Sequence, residues 1–218
     1  MKKIMLTIAC LLALALLGAD DKGDGAKPLF NGKDFTGWQG NTQGWAFEPD
    51  GTLAWKKQAG DIWTQTHYDD FILDFDYKVA RDSNSGVFIR LANPKDPVQT
   101  GLEIQVYDSV GKGTDKHHAG AVYDAVAPSK NVEKPVGEWN HMTILAKGPT
   151  IQVTLNGEQV VDMNLDQWTT AGKNPDGSPN KYKTPLKDFP RRGRIQIQDH
   201  HKPVWYRNMK IKELKDEA

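Results

Sequence analysis

The stretch HMTILAKGPTIQVTLNGEQVVDM, residues 141–163, decides the fold class. Its apolar residues recur at every second position, the spacing of a strand with one face buried. Lys147-Gly148-Pro149 and Asn156-Gly157 interrupt the alternation with residues that suit tight turns between antiparallel strands. Residues 139–163 are therefore expected to form a three-strand meander.

Working outward, the same signature recurs in FILDFDYKV (71–79), SGVFIRL (85–91), LEIQVYD (102–108), RIQIQDH (194–200) and WYRNMKIKEL (205–214). No long segment carries a 3.6-residue apolar period. The chain is expected to be all-β, a sandwich or jelly roll of antiparallel strands. Two stretches rich in Gly, Pro, Lys and Asn, 109–138 and 166–193, are too long for ordinary connections and are read as functional insertions.

The first nineteen residues are set apart. Lys2 and Lys3 precede an uncharged apolar run from Ile4 to Leu17 that ends in Gly18 and Ala19, the pattern of a secretory signal peptide. The run is shorter than the roughly 20 residues that span a bilayer. The mature chain is therefore expected in the periplasm or outside the cell, with no stable membrane span. Asp20–Pro28 is read as a flexible spacer, and 29–218 as one domain. The only cysteine, Cys10, leaves with the signal, so the core alone must hold the fold.

The 28 basic and 28 acidic residues balance, and loss of Lys2 and Lys3 leaves 26 against 28. That argues against nucleic acid as a partner. Seven tryptophans and six tyrosines suit sugar faces as well as cores.

The opposite faces of three strands carry the chemistry. In LEIQVYD, Leu102, Ile104 and Val106 share one face, and Glu103, Gln105 and Tyr107 the other. In RIQIQDH, Arg194, Gln196, Gln198 and His200 oppose Ile195 and Ile197; in SGVFIRL, Gly86, Phe88 and Arg90 oppose Val87 and Ile89. A plain solvent face would favour Lys, Glu, Thr and Ser. Amides and aromatic rings suit sugar hydroxyls and C–H faces. Only one carboxylate, Glu103, stands on these faces, whereas ordinary glycosidases use two. Asp108 is expected on the core side. Asp108 and Asp199 are the candidates for a divalent cation such as calcium, and the adjacent pairs His117-His118 and His200-His201 for other metals.

Six motifs in order, LFNGKDFTGW (29–38), NSGVFIR (84–90), GLEIQVYD (101–108), GAVYDAVAPSKNVEKPVGEWN (120–140), VTLNGEQVVD (153–162) and RIQIQDHHKPVWYRNMKIKEL (194–214), resemble the 3-keto-disaccharide hydrolase domain family. The resemblance implies a concanavalin A-like jelly roll of two antiparallel sheets, with a concave face as the binding trough. It also implies an exported hydrolase of glycosides whose glucose is oxidised at C3, such as 3-keto-trehalose. Related glucanases carry two Glu residues on the catalytic strand, where this chain has Glu103-Ile104-Gln105.

A C3 ketone acidifies the C2–H, so that one base suffices for elimination at C1, followed by hydration. On this reading Glu103 or His200 is the base and the other the acid, and Arg90 stabilises the enolate. Gln105, Tyr107 and Gln198 would orient hydroxyls, with Tyr123 and Trp205 as walls. The alternative is a non-catalytic carbohydrate-binding module that uses the same face.

Overall fold

The computed structural model describes residues 25–215. The proposed signal peptide and the start of the spacer lie outside the described residues. Among the described residues, thirteen strands build two antiparallel sheets: β1 Lys27–Pro28, β2 Trp38–Gly40, β3 Trp45–Phe47, β4 Leu53–Trp55, β5 Ile62–Thr64, β6 Phe71–Val79, β7 Asn84–Leu91, β8 Leu102–Tyr107, β9 Asn140–Lys147, β10 Thr150–Leu155, β11 Glu158–Asn164, β12 Arg194–Ile197 and β13 Val204–Glu213. The larger sheet runs β11-β10-β9-β6-β13-β4-β3, with β1 also paired to β13; the smaller runs β2-β5-β12-β7-β8. One helical turn, Pro97–Thr100, precedes β8.

The expected meander is β9-β10-β11. β6 spans the stretch read as FILDFDYKV, and its burial alternates at every residue. Phe71, Leu73, Phe75 and Tyr77 face the core, with Val87, Ile104, Ile195 and Ile197 contributed from the smaller sheet. Each such side chain contributes on the order of 1.5–3 kcal/mol by leaving water.

The spacer is shorter than expected, because Lys27 and Pro28 pair with Ile211 and Lys210. The three-residue strands β2 to β5 escaped the sequence reading, since they are too short to show a period.

Both long insertions fold without strands of their own, and they interlock. Segment 118–126 lies along β8: Gln105 N–H donates to Ala121 O, Tyr123 N–H to Glu103 O, and Gly120 N–H to Gln105 O. The free edge of the smaller sheet is thereby covered. Asp124 accepts from Lys181 N–H at 2.6 Å, the Tyr182 hydroxyl donates to Tyr123 O at 2.6 Å, and Asn174 donates to Asp124 O. The second insertion is thus fastened to the first beside β8.

Candidate active site

Glu103 ends a row that crosses the whole smaller sheet. The pairings Gln39 with Trp63, Trp63 with Gln196, Gln196 with Phe88, and Phe88 with Glu103 set five side chains abreast on the face turned from the core. One step along, Gly86 stands opposite Gln105. A Cβ on Gly86 would come within 2.6 Å of Glu103 Oε1, so the missing side chain makes the space the carboxylate occupies.

The Glu103 end of this face is not a wet one. Glu103 is 4% exposed, Gln105 1%, Phe88 1% and Gln196 0%. Three amide oxygens on it, Gln105 Oε1, Gln196 Oε1 and Gln198 Oε1, are buried without a hydrogen-bond partner among the described residues. Such acceptors are costly to bury unpaired and are ready to receive hydroxyl donors. Their amide nitrogens are partly committed: Gln105 donates to Asn84 Oδ1 and His117 O, and Gln196 to Asp61 Oδ2 at 3.0 Å.

Two groups that the sequence did not single out complete the site. Lys181 brings its Nζ to 3.5 Å from Glu103 Oε2 and 3.8 Å from the centre of the Tyr123 ring. Asp61 lies one residue before β5, and its Oδ1 accepts from Asp199 N–H at 2.8 Å. Burial is the main cause that raises the pKa of Glu103; Asp61 adds to it, while Lys181 and Gln198 oppose it. Burial likewise lowers that of Lys181, against the pull of Glu103 and Asp124. The Asp61 carboxyl is raised too, first by desolvation and then by the nearby Asp199 charge, and His200 and His201 counter it.

The region matched by the sequence profile of the family described as the 3-keto-alpha-glucoside-1,2-lyase-like domain is residues 25–212. The chain belongs to this family. A 3-keto-disaccharide hydrolase of Bacteroides thetaiotaomicron is 26% identical, over 88% of this chain and 79% of its own length. The crystal structure of a candidate glycosyl hydrolase from Parabacteroides distasonis superposes with a TM-score of 0.80 at 36% identity, covering 87% of this chain and 99% of that one. A Bacillus licheniformis β-glucanase shares the jelly-roll fold, with a TM-score of 0.50 at 12% identity over 87% and 97%. As a family member the chain is a hydrolase.

The site residues that strand alternation and the proposed chemistry suggest do not all meet. Glu103, Gln105, Gln198 and Tyr123 do; Tyr107 lies on the same strand face farther along, stacked on His118. Arg90 does not. β7 bulges opposite Arg194–Gln196, and Arg90 takes a φ of 51°, which shifts the alternation by one residue. Its guanidinium is instead buried against the other sheet, donating to Asp69 O, Gly148 O and Asp70 Oδ1 at 2.7–2.9 Å. With its donors so engaged, it cannot serve an enolate beside Glu103.

Trp205 is also misplaced by the sequence reading. Val204 and Tyr206 point to the core, so Trp205 stands on the outer face of the larger sheet, against Lys78. His200 does not continue the polar row, since β12 stops at Ile197; it is exposed on the following loop, close enough to Asp61 to affect its charge.

Asp108 is buried as expected and accepts from Asp82 N–H. Asp199 accepts from the Trp55 indole and His201 N–H. His117 lies between Asp115 and Asp124. Among the described residues, no three His, Cys, Asp or Glu side chains converge as a metal site.

Proposed function

We propose that this protein is an exported enzyme that cleaves 3-keto-glucosides by removing the C2 proton, eliminating the group at C1 and adding water across the resulting double bond. The observation that carries the reading is the Glu103 carboxylate, buried beside Lys181 and next to three glutamine acceptors without partners. A carboxylate whose pKa is raised by burial is a stronger base than one in water, and it suits abstraction of a proton next to a ketone. Its relatives' descriptions support a 3-keto sugar as the substrate class, one as a 3-keto-disaccharide hydrolase and the other as a 3-keto-alpha-glucoside-1,2-lyase-like family.

On this reading Glu103 takes the C2 proton, and Lys181 holds the C3 oxygen in place of Arg90. His200, exposed at the rim near Asp61, protonates the departing oxygen. Gln105, Gln196 and Gln198 accept from sugar hydroxyls, and the rings of Trp63 and Tyr123 flank the sugar.

The test is incubation of the mature protein with 3-keto-trehalose and with trehalose, each with added divalent cation and with chelator. Release of glucose from the keto sugar alone is the expected result. Cleavage of trehalose at an equal rate would overturn the elimination route. Sugar binding with no cleavage under any condition would leave a carbohydrate-binding module.

A further inference from the structure

The Lys181 side chain has a chemistry that an electrostatic role does not use. Its Nζ is held between a carboxylate 3.5 Å away and the face of the Tyr123 ring at 3.8 Å, and its side chain is only 28% exposed. Its backbone is fixed on both sides: Asp124 accepts from Lys181 N–H, and the neighbouring Tyr182 hydroxyl donates to Tyr123 O. A lysine tethered in this way has little freedom to leave the site. Burial pushes both members of the pair toward their neutral forms, a carboxylic acid and a free amine. A desolvated amine beside a carboxyl group that can give and then take a proton is the arrangement that forms imines with ketones.

We propose that Lys181 is a covalent catalyst that forms an iminium with the C3 ketone of the substrate. This rests on the keto-glucoside reading given above. The Lys181 amine adds to the C3 carbonyl carbon, and the carbinolamine loses its hydroxyl as water, with the proton of the Glu103 carboxylic acid, to give the C3=N⁺ bond and the Glu103 carboxylate. Glu103 then takes the C2 proton, and the C–H electron pair becomes the C2=C3 bond of an enamine. The enamine nitrogen returns its pair: C1=C2 forms, the C1–O bond breaks, and its electrons leave on the glycosidic oxygen, which is protonated. One water adds at C1, with a proton returned to C2, and a second hydrolyses the iminium and frees Lys181. One water released and two consumed leave the single water of a hydrolysis, with no oxidant or reductant required. The iminium supplies a stronger electron sink at C3 than a hydrogen-bonded ketone, which offsets the weak acidity of the C2–H.

The experiment uses the mature protein, 3-keto-trehalose and cyanoborohydride, which reduces iminium ions in preference to ketones. Turnover should be arrested with time, and peptide mass spectrometry should find a reduced sugar on Lys181. The variant Lys181→Arg keeps the charge and cannot form the imine. It should lose both the adduct and about a hundredfold or more of the turnover, with circular dichroism unchanged. Turnover without any adduct, or Lys181→Arg turnover within about threefold of the parent, would overturn the covalent role and leave the keto-glucoside reading standing. Failure of the native protein to cleave any 3-keto-glucoside would remove both.

Discussion

On the outer face of the larger sheet, Asp74, Asp76, His141, Thr143 and Arg207 bind one another in the open; on the outer face of the smaller sheet, Glu103, Gln105 and Gln196 lie buried with acceptors to spare. Both rows arise from the same alternation along a strand. The first is satisfied by its own charges, and such exposed pairs contribute little to stability. The second keeps three amide acceptors without a partner among the described residues. The difference comes from the insertions, which run along β8 and bring Lys181 and Tyr123 onto Glu103. On the proposed function, a polar row becomes a reactive site when it is dried and left unpaired, more than by its composition.

The sharpest way to break this comparison is Glu103→Gln. Turnover of a 3-keto-glucoside should fall by about a hundredfold or more, while thermal unfolding stays close to that of the parent. An unaltered rate would return the row to the status of the outer face of the larger sheet.

Next comes the anchor of the first insertion. Glu133 accepts from both the backbone N–H and the hydroxyl of Ser109 at 2.8 Å, and burial lifts its pKa from 4.5 to about 7. Between those values the folded protein binds a proton that the unfolded chain has released. Stability should therefore fall as pH rises through that window, by up to about 3 kcal/mol from this group alone. Glu133→Gln should flatten the dependence and raise the melting temperature above neutral pH. Melting curves that keep the parent's pH slope would show that the penalty lies elsewhere.

Gly86→Ala is a smaller test of the buried face. The added Cβ displaces Glu103 Oε1, and turnover should drop by about tenfold with only modest loss of stability. Smallest of all, Trp205→Ala removes a ring from the exposed row and should leave turnover within about twofold. A larger loss in kcat would bring the outer face of the larger sheet into the chemistry.

Much of this contrast is legible in the sequence, and what is not has a physical cause. Long strands with a buried face announce themselves, as β6 and the β9-β10-β11 meander do. Glu103, Gln105 and Gln198 follow from phase alone. Phase fails at Arg90, where one extra residue reverses the facing of the strand, and an aromatic ring alone says nothing of facing at Trp205, which lies between the buried Val204 and Tyr206. Lys181 carries no periodic signal, lying in an irregular segment with several other lysines. Asp61 precedes a strand of three residues. Both reach Glu103 through tertiary folding between distant segments, which alternation cannot encode.

The buried Arg90 has one more consequence, for the direction in which the sandwich comes apart. Its guanidinium rivets the end of β7 to the β9–β10 turn at Gly148 and to the start of β6 at Asp70, across the two sheets. At the opposite end, near Asn84 and the β10–β11 turn, the Lys130–Glu158 pair is exposed where Arg90 is buried, and that end holds the Glu133 carboxyl that loses stability on ionising. Fraying should begin there. Backbone amides around Asn156 would exchange with solvent sooner than those around Gly148, and the difference would widen with alkalinity as Glu133 gives up its proton.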